Sequence, residues 1–159
     1  MNVKTIVDEN FQDYKKPGMF IAFSRCSFKC EKDADVACCH NSPLAKSKDV
    51  SLPAQSIIER YINNPITSSV ICGGLEPLDD FKSLKELLGI LRIRFKNNDD
   101  FVIYTGYNKE EIEEKIKELK KYKNIIMKYG RFIPNQQKKY DEVLGICLSS
   151  GNQFGEKIS

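Results

Sequence analysis

Short runs of β-branched and aromatic residues alternate along this chain with longer stretches whose apolar residues return every three or four positions. That alternation constrains the fold more than any other feature, because strand, helix and strand in succession fit one sheet most simply by parallel pairing through a crossover. The runs are VKTIV (3–7), MFIAF (19–23), SSVIC (68–72), FVIYT (101–105), NIIMKY (124–129) and VLGICL (143–148). Ser51 is placed to cap a helix striped by Ile57, Ile58, Tyr61 and Ile62. Asp79 or Asp80 is placed to cap a second, with Phe81, Leu84, Leu87, Leu88, Leu91 and Phe95 on one face. Asn108 and Glu111 form a capping-box pattern before a third, striped by Ile112, Ile116, Leu119 and Tyr122. The expected fold is a single α/β domain over 1–159, a partial (β/α) barrel with mostly parallel strands. Functional loops then gather at the carboxyl ends of the strands.

A chain of 159 residues has room for one such domain and not comfortably for two. Its 25 basic and 22 acidic residues leave a net charge of only +3, which calls for no nucleic-acid partner, and no polybasic run marks a membrane surface. The opening MNVKTIVDENFQDY is mixed and charged, and no apolar stretch approaches the length of a membrane span. These features predict a cytoplasmic protein. Thiols stay reduced there, so clustered cysteines point to metal or catalysis before disulfides.

Four of the six cysteines and the single histidine fall in one loop, 24–42, directly after the second strand run: SRCSFKCEKDADVACCHNS. One isolated cysteine is usually a small core residue. Four within a loop that also carries Glu31, Lys32, Asp33 and Asp35 have little apolar surface to bury, so metal or cluster binding is the stronger reading. Zinc would take Cys26, Cys30, one of Cys38 or Cys39, and His40. An iron–sulfur cube would take three or four thiolates. Adjacent side chains point apart, so Cys38 and Cys39 do not easily ligate one cube together, and three thiolates with one iron left open is the natural count.

The residues CSFKC…CCHN resemble the signature of the radical S-adenosylmethionine (SAM) family, usually C-x3-C-x2-C, and the C-H-N ending is similar to that of enzymes that activate glycyl-radical proteins. In this chain eight residues, not two, separate Cys30 from Cys39. CGGLEPLDDF (72–81) resembles the family's Gly-Gly-Glu-Pro motif with one extra residue, Leu75. FVIYTGYNKEEI (101–112), KYGRFIPNQQ and LSSGNQFGEKI resemble segments of the activating protein of anaerobic ribonucleotide reductase, Tyr129 standing where that family has Asp. The resemblance implies a 4Fe–4S cluster on Cys26, Cys30 and Cys39, with Cys38 and His40 beside it. SAM would be held by Gly73, Gly74 and Glu76 at its methionine end, with Asn41 and Thr105 lining the pocket. It further implies reductive cleavage of SAM and a glycyl radical on a larger partner, most readily an anaerobic ribonucleotide reductase. A flavodoxin-like or ferredoxin-like donor would supply the electron.

Three alternatives share some of these residues: a radical SAM enzyme with a small-molecule or peptide substrate, a zinc module using His40, and an electron carrier using Cys38 as a fourth ligand. Cys72 and Cys147 lie in apolar runs and are expected as buried core thiols. Tyr107 can stack on an adenine, although a strand-end tyrosine is more often just half-buried. The Lys/Glu run 109–121 is expected to be a solvated helix face.

Overall fold

The computed structural model describes residues 1–35, 37–39 and 41–159. Strands β1 (Asn2–Asn10), β2 (Gly18–Phe23), β3 (Val50–Ser51), β4 (Ser69–Gly74), β5 (Asp100–Tyr104) and β6 (Ile125–Tyr129) form one sheet. Strands β7 (Lys139–Asp141) and β8 (Ile146–Leu148) pair as a separate hairpin, and β9 (Phe154–Lys157) returns to the sheet, whose order is β3-β1-β2-β4-β5-β6-β9. The helices are α1 (Lys29–Ala34), α2 (Ser42–Lys46), α3 (Ala54–Ile62), α4 (Phe81–Gly89) and α5 (Glu113–Leu119).

The four central strands, β2, β4, β5 and β6, are parallel and adjacent in chain order. Right-handed crossovers between strands that never reverse order put every connecting helix on one face. The period of two along each strand sorts the residues accordingly. Met19, Ile21, Val70, Phe101, Ile103, Ile125 and Met127 pack with Ile57, Ile58, Leu84, Leu87, Leu88 and Leu119 on the helix side. Phe20, Ile71, Val102, Tyr104 and Ile126 point the other way, where Tyr14 and the β7–β8 hairpin residues Leu144, Ile146 and Leu148 cover them.

The α/β architecture with a parallel centre is present, and both edges are antiparallel: β1 on β2, β3 on β1, and β9 on β6. Among the described residues the sheet stays open and no barrel forms. Three local expectations are corrected. Ser51 does not cap a helix. It pairs with Asn2 in β3, and α3 starts only after Pro53, because a residue ahead of proline is held extended. Neither Asp79 nor Asp80 caps α4 through its side chain; a 3-10 turn, Pro77–Asp80, precedes that helix and Glu76 caps it by accepting the Leu78 N–H. The run 143–148 is not the last strand of the sheet. Its Ile146–Leu148 portion joins the hairpin, and the sheet ends with β9, whose FGEK carries no apolar alternation because it is an exposed edge. Cys147 is consequently exposed rather than in the core, whereas Cys72 is fully buried.

Candidate metal centre and adjoining cavity

A cavity of about 330 Å³ opens at the carboxyl ends of the parallel strands, between them and the β7–β8 hairpin. Cys26, Cys30 and Cys39 line it from the loop after β2. Gly74, Leu75 and Glu76 line it from the end of β4, Thr105 and Gly106 from the end of β5, and Lys128 and Gly130 from β6. Five of the predicted site positions outside the glycine pair, Cys26, Cys30, Cys39, Asn41 and Glu76, thus share one space with Thr105.

Local structure explains each placement. Gly74 has φ +85°, a left-handed conformation that glycine adopts without a Cβ penalty, and a Cβ there would stand 2.7 Å from the Ala22 Cα. That turn aims the Gly74 carbonyl at the loop, where the Asn41 Nδ2 donates to it. Gly73 does not line the cavity. It pairs with Ala22 in the strand, and its missing side chain lets the Phe20 ring lie over it. Chain β4 then continues alongside the cysteine loop, the Glu76 N–H donating to the Arg25 carbonyl at 2.9 Å. Leu75 therefore does not carry Glu76 out of reach.

Glu76 is 5% exposed, and its carboxylate accepts the N–H of Gly106 at 2.8 Å and of Leu78 at 3.1 Å. Burial pushes its pKa up to about 7, against the pull of those two N–H groups and the Thr105 hydroxyl. Three donors leave one of the carboxylate's four lone-pair sites free. Facing the same space is Lys128, which sequence reasoning missed. Its Nζ donates to the Gly130 carbonyl at 3.0 Å, and burial lowers its pKa to about 8 although Glu76 and Cys30 favour its charge. The signal was present: alternation from Ile126 puts residue 128 on the cavity side, and a lysine inside an apolar strand run is rarely there for packing.

Burial likewise raises Cys26 to about 11, the Phe28 N–H pulling against it and Glu76 and Asp79 adding to it. Cys30 is raised for the same first reason, with the Phe132 backbone opposing. Both are thiols at neutral pH, and iron must displace their protons on binding. Three soft donors on one cavity wall fit an iron–sulfur cluster. Among the described residues no three Cys, His, Asp or Glu side chains stand close enough to hold a single metal ion. His40, the residue on which the zinc alternative rests, lies outside the described residues. Cys38 lines no part of the cavity; its thiol turns to the Cys30 carbonyl at 3.7 Å. Cys38→Ala is therefore expected to leave iron and sulfide content after reconstitution unchanged, a result that elemental analysis reads directly. A loss of about half the iron or more would instead make Cys38 a ligand.

Tyr107 is half-buried, its hydroxyl donating to Asp79 at 2.6 Å and its ring flanked by the ammonium groups of Lys29 and Lys115. It does not line the main cavity. The Asp79 carboxylate also accepts the Ser27 N–H at 2.6 Å, so it ties the cysteine loop to the loop after β5.

Fold and site together define an α/β protein that carries a thiol-lined cluster loop over the carboxyl ends of its parallel strands. The profile of the 4Fe-4S single cluster domain matches residues 17–153, and the chain belongs to that family. It is a 4Fe–4S protein. No curated protein and no solved structure gives a significant match. Among the described residues no helix is long and apolar enough to cross a membrane.

Proposed function

We propose that this protein is a radical SAM enzyme that generates a glycyl radical on a larger partner, most readily an anaerobic ribonucleotide reductase. The observation that carries the reading is the shared cavity: the three thiols of the cysteine loop, one buried carboxyl and one buried amine converge where the parallel strands end, with Cys147 on the hairpin side. An electron carrier needs only the cluster site. A cavity that adds an acid and a base of opposite charge suits a ligand that is itself a zwitterion, as the methionine end of SAM is.

Cys26, Cys30 and Cys39 would hold a 4Fe–4S cluster, which when reduced would supply the electron for cleavage of SAM and so the means to take a hydrogen atom from a glycine of the partner. The chain's own residues do the binding and orienting. Glu76 receives the SAM ammonium group on its remaining lone pair, and Lys128 faces the carboxylate, each partner offsetting the cost of burying the other's charge. Asn41 fixes the Gly74 carbonyl at the mouth of the loop, and Thr105 holds Glu76 from behind. Phe20 and the β7–β8 hairpin form one wall of the cavity. Small-molecule sites span roughly 300–1,000 Å³. At about 330 Å³ this cavity falls at the small end of that range, and a second hollow, lined by Ser24, Arg25, Ala45 and Asp79, adjoins it at Cys26, Phe28 and Leu75. A flavodoxin-like or ferredoxin-like protein would be the electron donor.

The test is anaerobic reconstitution with iron and sulfide, followed by electron paramagnetic resonance of the reduced protein with and without SAM. The expected result is a cluster signal whose shape changes when SAM is added, with methionine and 5′-deoxyadenosine appearing on turnover. A cluster signal indifferent to saturating SAM would sink the proposal and leave an electron-transfer module.

A further inference from the structure

The described residues between Cys30 and Cys39, 31–35 and 37–38, carry contacts that tie them to the rest of the site. Cys30 sits in α1, a helix of six residues whose flanking positions, Phe28 (φ 54°) and Asp35 (φ 50°), are left-handed without being glycine. One short turn with unfavourable backbone at both ends does not hold itself in place. Its support comes from across the site. Arg131, in the loop after β6, has a side chain only 11% exposed. Its terminal nitrogens donate to both carboxylate oxygens of Glu111, at 2.8 and 2.6 Å, and its Nε lies 2.8 Å from the Asp33 Oδ2 on α1 as an ion pair, without the alignment of a hydrogen bond. Lys29, the first residue of α1, donates to the same Glu111 at 2.9 Å. Within this stretch, the Glu31 Oε1 accepts the Cys39 N–H at 3.3 Å.

We propose that Arg131 is the positioning residue for the third cluster ligand. It clamps Asp33 against Glu111 and so fixes the α1 turn, from which Glu31 holds Cys39 in the cavity beside Cys30. Glu111 is itself anchored by its capping bond to the Asn108 N–H at 2.8 Å, so the clamp has a rigid footing in the loop after β5. A planar guanidinium can grip one carboxylate with two nitrogens while its charge attracts a second; a lysine ammonium has no such fork. The longer Cys30–Cys39 spacing thereby gains its own support, which a two-residue gap does not need. This inference rests on Cys26, Cys30 and Cys39 holding the cluster.

Two measurements test it. In the metal-free protein, hydrogen exchange of the amides in 31–39 should quicken about tenfold or more in Arg131→Gln and in Asp33→Asn. Arg131→Lys should resemble Arg131→Gln, and Asp33→Glu should restore most of the protection. In the reconstituted protein, the same variants should release iron to a chelator about tenfold faster than the parent, with Asp33→Glu again restoring retention. Asp33 is more than half exposed, so loss of its charge leaves the core intact and that variant stays informative if Arg131→Gln folds poorly. Unchanged exchange in Asp33→Asn would overturn the clamp. Quickened exchange with unchanged iron release would overturn its role in ligand positioning. A parent that takes up no iron would overturn the cluster reading instead, while the exchange result still decides for or against the clamp.

Discussion

Cys26→Ala is expected to abolish cluster binding. Iron after anaerobic reconstitution should fall from about four atoms per chain to below about one, with the visible absorption lost. Two thiolates cannot hold a cube that already has one iron without a protein ligand, and Cys147, which also lines the cavity, does so from β8 rather than from the cysteine loop. Cys38 is turned to the Cys30 carbonyl, Cys72 is fully buried within β4, and Cys147 lies on the hairpin across the cavity. The cost to folding is small by comparison. Cys26 is only partly buried and its chief polar contact is the Phe28 N–H at 3.2 Å, so its truncation should destabilise the chain by no more than about 1 kcal/mol. Far-UV circular dichroism should match the parent. Unaltered iron content in a folded Cys26→Ala protein would overturn the assignment of the whole loop.

The sequence made the centre of the fold legible because apolar period and burial agree there. Strands at 19–23, 68–72, 101–105 and 124–129 are fully or nearly buried, so each reads as a continuous apolar run and each is found within two residues of its expected place. The Asn108–Glu111 capping box is also present, although it opens a 3-10 turn ahead of α5. What sequence hid is set by exposure or by long-range contact. Edge strand β9 has one face to solvent and carries no pattern. VLGICL reads as a core strand, yet half of it is a hairpin lid whose apolar side chains pack onto the sheet from outside. The resemblance to a family motif drew Cys26, Cys30, Cys39, Asn41, Glu76 and Thr105 toward one site, and they do share a cavity. Lys128 and Arg131 fall within KYGRFIPNQQ, a segment of the resemblance, but neither is a residue that carries the likeness. Their positions follow only once the register of β6 is known, since one residue of slip would exchange the face that Lys128 and Tyr129 present.

Glu76→Gln is expected to separate SAM binding from folding. Burial holds the Glu76 pKa at about 7, so in the free protein the group is neutral below that pH and charged above it. A carboxyl raised in the folded state costs stability as pH climbs from its ordinary range through the folded value, and the cost is fully present above about 7. That cost is on the order of 3 kcal/mol. The glutamine variant escapes it, but its amide nitrogen must face one of the two N–H donors, from Gly106 or Leu78, and leave it unpaired. An unpaired buried donor costs about 1–3 kcal/mol. The two effects oppose each other and are similar in size, so thermal stability at pH 8 should stay close to that of the parent. Ligand binding has no such compensation. A neutral amide offers an ammonium group no opposite charge, and losing a charge-assisted hydrogen bond of about 1.5–3 kcal/mol weakens SAM binding roughly ten- to a hundredfold. The SAM-dependent change in the cluster's paramagnetic signal should therefore vanish at SAM concentrations that saturate the parent. In the parent, affinity for SAM should rise as pH increases through about 7, because the carboxylate that receives the ammonium forms over that interval. Glu76→Gln should lose that rise. A variant that bound SAM as tightly as the parent, with the same pH dependence, would remove Glu76 from the site and leave the acid in the cavity as a cap for the Pro77–Asp80 turn alone.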